Sequence, residues 1–164
     1  MVHDRVDKFI LGNLDAGLPA DLPPTFDYVV CADVLEHVRA PERLLEELLP
    51  RLSPGGAIVA SVPNFGHWYP RLRTLLGLFD YDRRGILDRT HVRFFTRRSF
   101  ERLARDAGCT VTRIGTTGLP FDVADRGGNG SLSRRLRVVA AVDRGLVRLR
   151  PQLFGYQFLY ELKR

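Results

Sequence analysis

Two histidines, His37 and His91, are the side chains best suited to move a proton near neutral pH. An unperturbed imidazole titrates near about pH 6.5. Either ring can therefore take a proton from an oxygen or nitrogen nucleophile that starts protonated. His37 falls at a predicted strand-to-helix junction and points toward the crevice beyond the strand end. There it serves as a base or simply hydrogen-bonds backbone at a helix start. His91 lies with Asp88 and Arg93 in an aperiodic stretch, where it contacts substrate, acts as a base or pins the loop. Asn64 and His67 follow a predicted strand and are placed to face a substrate, with turn formation the other role for Asn64. Trp68, Tyr69, Phe94 and Phe95 offer walls for a pocket, although core packing is the simpler use. No His, Cys, Asp or Glu spacing matches a metal-ligand pattern, and no Ser-His-Asp arrangement can be argued.

Regular elements must position these groups, and the stretch over 26–64 supplies the clearest ones. It reads as strand, polar strand end, amphipathic helix, Pro-Gly-Gly turn and second strand. That is one crossover unit of a parallel α/β sheet. Residues 28–32, Tyr-Val-Val-Cys-Ala, are apolar without alternation, as in a strand covered on both faces. Pro41 suits the first turn of the helix, and leucines at 44, 45, 48, 49 and 52 make one stripe. Pro50 ends or kinks that helix near Leu49. Ser53-Pro54-Gly55-Gly56 then turns the chain into a strand over 57–62. The polar group at 33–37 lies just beyond the first strand's carboxyl end, where open α/β sheets bind ligands.

The remaining elements are less uniform. A short strand over 8–11, ending in a polar turn, precedes this unit. Leu72, Leu75, Leu76 and Phe79 predict a helix over 69–79. Residues 80–96 have no period and read as a long ordered loop of the kind that covers sites. Thr96 is the predicted N-cap of a helix carrying Phe100, Leu103, Ala104 and Ala107, stopped by Gly108. Residues 109–116 alternate as a strand. The loop Gly127-Gly128-Asn129-Gly130 reads as a flexible connector. A basic helix over 132–149 and a closing strand over 157–163 complete the chain, and 1–164 is read as one domain.

Composition narrows the functional classes. The 45% hydrophobic and 27% charged content is ordinary for a globular chain able to bury a core. No apolar run approaches the roughly 20 residues of a membrane helix, and the N-terminus has no signal-peptide core. Cys31 and Cys109 each fall in a predicted strand without a second cysteine nearby. A disulfide framework is not expected, and a cytoplasmic setting is. The net charge of +6 comes almost entirely from arginine, Lys8 and Lys163 being the only lysines. The basic positions are scattered and lack interleaved aromatics, so no nucleic-acid partner is expected. The last helix carries arginines 134, 135, 137, 144, 148 and 150 against Asp143. It is read as packing its apolar side on the sheet, with contact to an anionic membrane surface as the alternative.

Several separated pieces, in order, resemble class I S-adenosylmethionine-dependent methyltransferases. Gly12-Asn13-Leu14-Asp15 matches the end of the family's third strand, and Cys31-Ala32-Asp33-Val34-Leu35 the end of its fourth. Glu36-His37-Val38 continues the family's "LEHV", and Leu52-Ser53-Pro54-Gly55-Gly56 matches its turn before the fifth strand. The run 87–96, LDRTHVRFFT, resembles a subgroup acting on diverse small or lipid-linked substrates.

The resemblance implies a Rossmann-like, mostly parallel α/β sheet flanked by helices and missing the family's first two strands. It implies S-adenosylmethionine as cofactor, with Asn13 and Leu14 toward the adenine, and Cys31, Ala32, Asp33 and Leu35 lining the methionine portion. His37 and His91 become the catalytic candidates, and Asn64, His67 and Arg93 the substrate-binding ones. The implied reaction is methyl transfer to a small or lipid-linked acceptor. The family's Gly-rich cofactor loop has no counterpart in the sequence, so weak or absent cofactor binding by this chain alone is expected. The first strand would then be an exposed edge, open to the 8–11 strand, a second copy or a complementing N-terminal segment. The other reading is a non-catalytic α/β remnant serving as a binding or interaction module.

Overall fold

The structure, a computed structural model, describes residues 6–120 and 134–164. Strands β1 (Phe26–Ala32), β2 (Leu52–Pro63), β3 (Thr110–Thr117) and β4 (Gln157–Lys163) form one sheet in the order β1-β2-β4-β3. β1 pairs parallel with β2, while β4 pairs antiparallel with both β2 and β3. Three strands thus share one direction and β4 alone is reversed. Helices α1 (Pro41–Leu48), α2 (Trp68–Leu75), α3 (Arg97–Asp106), α4 (Arg134–Leu149) and the short α5 (Pro151–Phe154) complete the α/β architecture.

The crossover from β1 to β2 follows its sequence signals closely. Pro41 opens α1, and Leu44, Leu45, Leu48, Leu49 and Leu52 are all buried. Pro50, which cannot donate to an α-helical ladder, ends α1 at Leu48 and leaves a 3-10 turn over Leu49–Arg51. The Ser53-Pro54-Gly55-Gly56 turn lies inside an irregular start of β2, where the register jumps between Phe26↔Leu52 and Tyr28↔Ala57. Gly56 is required there, because a Cβ would sit 2.8 Å from the Asp27 carbonyl oxygen. α3 is closed by a capping box between Thr96 and Ser99. At its other end Gly108 takes φ 83°.

Ile58, Ala60, Val62, Phe158, Tyr160 and Leu162 pack against the leucines of α1 and against Phe100 and Ala104 of α3. On the opposite face Tyr28 and Val30 remain exposed. This corrects the expectation that β1 is covered on both faces: its burial alternates because only one face meets helices among the described residues.

Other expectations also change. The predicted strand over 8–11 is absent, and a 3-10 turn occurs at Leu14–Ala16 instead. That segment is exposed over most of its length, so a ladder there would gain little burial to offset its ordering entropy. β1 therefore keeps a free edge among the described residues. α2 stops at Leu75 and leaves Leu72, Leu75, Leu76 and Phe79 exposed. On α4, Ala140 and Val147 are buried while Val138, Val139, Val142 and Leu149 are exposed. The Gly127–Gly130 loop and the first residues of the predicted basic helix lie outside the described residues. Cys31 and Cys109 are buried free thiols, each pushed up to about 11 by desolvation.

Candidate functional site

At the carboxyl end of β1 the chain turns sharply through Asp33, which takes φ 52°. Left-handed backbone is costly for a residue with a Cβ and persists only where neighbours enforce it. Here the enforcing contacts are visible. The Asp33 amide donates to Ser61 Oγ at 3.0 Å, and that hydroxyl donates to Asp33 Oδ1 at 3.1 Å. The same Oδ1 accepts from the Gln157 side-chain amide. β2 and β4 thus hold the strained residue at the rim. Asp33, Tyr156, Gln157, Asp143 and Arg144 line a crevice of about 520 Å³.

The next residues form a 3-10 turn, Leu35–His37, with Leu35 and Glu36 buried and His37 exposed. The 80–96 loop folds back onto this turn. The amides of Val92 and Arg93 donate to the Glu36 carbonyl at 2.9 and 3.0 Å. Asp88 Oδ1 accepts from the Thr90 amide and hydroxyl, bonds that hold its carboxyl below the usual range. The result brings His37 and His91 together, ring centroids 4.8 Å apart and planes inclined by 69°. His37 Nδ1 lies 3.0 Å from the Thr90 carbonyl, and His91 Nδ1 3.2 Å from that of Ile86. A carbonyl only accepts, so each Nδ1 donates, and it is Nε2 that presents the lone pair whenever the ring is neutral. Burial, with His37 nearby, lowers the His91 pKa, while its bond to Ile86 and nearby carboxylates oppose the shift. The net direction favours the neutral ring.

Glu36 is the residue that sequence reading passed over. It is 1% exposed, and its carboxyl has only its own backbone amide and the Asp33 carboxylate close by, neither in well-formed hydrogen-bond geometry. Burial raises its pKa to about 7, its own backbone amide opposes this, and Asp33 adds to the rise. The sequence showed an acid beside a histidine, but nothing local announced its burial.

The other expected site residues separate. Ala32 and Asp33 are exposed at the strand end, whereas the Cys31 and Leu35 side chains lie in the core. Only the main chain of that pair can face a ligand. Asn13 caps its 3-10 turn through the Asp15 amide, and Leu14 packs against the core edge. Asp15 in turn accepts from the Arg39 amide at 2.8 Å, tying this turn to the start of α1. Asn64 is fully buried, donating to the Gln152 and Gly155 carbonyls and accepting from the Gly66 amide, so its capacity goes to holding the turn. His67 is likewise buried and accepts from the Tyr69 amide as the N-cap of α2. Arg93 turns to the Arg39 carbonyl and Glu42. Of the aromatics, Phe95 is core, while Trp68 is partly exposed.

Residues 4–114 match the model of the methyltransferase domain family, which covers more than half of the chain. The chain belongs to that family, the class I S-adenosylmethionine-dependent methyltransferases. A 54-residue stretch is 39% identical to the mitochondrial ubiquinone biosynthesis O-methyltransferase of Schizosaccharomyces pombe, spanning 33% of this chain and 19% of that protein. Among solved structures, the fold is similar to a methyltransferase of Thermotoga maritima described as a possible histamine N-methyltransferase. The TM-score is 0.54 at 16% identity, covering 95% of this chain and 64% of the other. It is also similar to magnesium protoporphyrin IX methyltransferase of Synechocystis with bound SAH, with TM-score 0.51 and 16% identity, covering 95% and 50%. The chain therefore spans between half and two thirds of these two methyltransferases.

Within the methyltransferase fold, the residues present fit one part of the cofactor. Asp33, strained at the rim and exposed, offers a carboxylate to a cationic amino group, and Ala32 leaves room beside it. Among the described residues no Gly-rich strand-to-helix loop stands at the free edge of β1.

Proposed function

We propose that this chain supplies the acceptor side and the methionine end of a site for S-adenosylmethionine-dependent methyl transfer to a small or lipid-linked acceptor. The observation that carries this reading is the convergence of His37 and His91 beside Asp33, at the carboxyl end of a parallel strand. The cofactor, when bound, supplies an electrophilic methyl group. The chain's own residues do the rest. Asp33 binds a cationic amino group, and the 80–96 loop, pinned to the Glu36 carbonyl, restricts water at the rim. A neutral His91 or His37 accepts the acceptor's proton at Nε2 while Thr90 and Ile86 hold the rings in orientation.

The free edge of β1 receives a complementing N-terminal segment in this reading, with a second copy of the chain as the other candidate. The buried thiols suit a reducing, cytoplasmic setting. The competing class is a non-catalytic binding module.

Calorimetry with S-adenosylhomocysteine separates the two. Saturable binding weaker than about 1 μM, equivalent to about −8.2 kcal/mol, and further weakened by Asp33→Ala, is expected. Absence of saturable heat at millimolar ligand when a complementing N-terminal segment is also supplied would favour the binding module. In a complemented, active form, His91→Ala should lower kcat by about a hundredfold with little change in cofactor affinity, and His37→Ala by less.

A further inference from the structure

We propose that the crevice between the end of β2 and the start of α3 binds the phosphate or diphosphate group of a ligand. Arg71, Arg97 and Arg98 line this crevice of about 370 Å³ together with Thr96 and Gln152. An adjoining crevice of about 320 Å³ shares Arg71 and Gln152 and adds Arg150. Among the described residues no carboxylate lines either one. Four guanidinium groups thus border a continuous space that holds no counter-charge.

The donors there are only partly used. Arg71 donates from Nε to the Gly66 carbonyl, and Arg97 from Nε to Glu101, both at 2.7 Å. The terminal nitrogens of both side chains are left for a ligand. Arg98 makes no side-chain hydrogen bond or ion pair among the described residues. One forked guanidinium satisfies a carboxylate, whereas a phosphate group carries three acceptor oxygens and up to about two negative charges. The surplus of donors therefore selects phosphate over carboxylate chemistry.

The electrostatics of α3 point the same way. Arg97 and Arg98 are its first two residues, and its first turn contains no acid. A helix start carries partial positive charge, so cations placed there are unfavourable unless an anion sits beside them. A phosphate bound in the crevice relieves that repulsion. Asn64, which follows β2, borders the same crevice. Because β1 and β2 are parallel, the crevice lies at the same end of the sheet as Asp33. On the methyl-transfer reading it marks a phosphate-bearing acceptor, a step that rests on that reading, whereas the binding itself does not.

Calorimetric titration of the purified chain with inorganic pyrophosphate, in magnesium-free buffer at fixed ionic strength, tests this. Saturable binding with a dissociation constant below about 1 mM is expected. Arg98→Gln and Arg71→Gln should each weaken it by about tenfold, while Arg113→Gln on β3 should leave it unchanged. Without ligand, Arg98→Gln should melt no lower than the parent, since it removes a cation from the helix start. Its loss of pyrophosphate then reports the site and not misfolding. Sedimentation with phosphatidate vesicles identifies the source of the group. Arg98-dependent pelleting assigns a lipid-borne phosphate, and pyrophosphate binding without pelleting assigns a soluble one. No saturable binding below about 1 mM, or an affinity unchanged in Arg98→Gln, would overturn the proposal. S-adenosylhomocysteine takes no part in these titrations, so this failure is distinct from failure of the methyl-transfer reading.

Discussion

The two faces of the sheet are built from the same strands and differ in almost everything else. Ile58, Val62, Phe158 and Leu162 are 0% exposed against α1 and α3. One residue along, Tyr28 and Val30 are 68% and 66% exposed, and Val59 and Leu159 more than a third. Strand composition alone does not produce burial, because alternate side chains meet different layers. What decides it is whether a helix stands opposite. The covered face has α1 and α3, each with an apolar stripe facing the sheet. The other face has no such helix over Tyr28 and Val30 among the described residues.

The largest test of that contrast is Phe100→Ala. The ring is fully buried and stacks 4.4 Å from Tyr160. Its loss should cost about 3–5 kcal/mol in denaturant unfolding. A cost near that of a surface substitution would mean the covered face is not the core.

A smaller effect lies where the faces meet the rim. Glu36 is buried like a core residue yet ionisable, with a pKa raised from its ordinary 4.5 to about 7. Between those values the folded chain holds a proton that the unfolded chain has released. Stability should therefore fall as pH rises through this window and level off above it. Glu36→Gln should remove that slope and stabilise the chain by about 1–3 kcal/mol near pH 8. The gain should vanish below the ordinary carboxylate range. Parallel stability curves for the two proteins would show that Glu36 is solvated.

The smallest effect is expected on the open face. Tyr28→Ser and Val30→Thr should each change stability by about 0.5 kcal/mol or less. They should also reduce any self-association seen by analytical ultracentrifugation. A loss of about 2 kcal/mol or more would show that another layer covers this face.

Much of the fold was legible in advance because its signals are local. Pro41 and Pro50 bracket α1, Thr96 caps α3, and the leucine stripe names the buried side of the first crossover. The failures have a common cause. The 8–11 strand and the covering of β1 on both faces depended on partners that periodicity cannot reveal. What Asn64 and His67 hold in the fold was equally hidden, since a polar residue after a strand gives no sign of its partners. Their hydrogen bonds to the 152–155 backbone and to the start of α2 appear only after folding.

The candidate site divides in the same way. The sequence by itself determined that a polar Asp-x-x-Glu-His group would follow a parallel strand, since strand composition, helix stripe and turn chemistry act over a few residues. It also determined that His91 would sit in an aperiodic loop. Only the tertiary structure decided that this loop returns to the Glu36 carbonyl and sets the His91 ring centre 4.8 Å from that of His37, next to a buried carboxyl. Such a meeting rests on backbone hydrogen bonds between distant segments, and those bonds are indifferent to side-chain identity. No residue pattern along the chain encodes them.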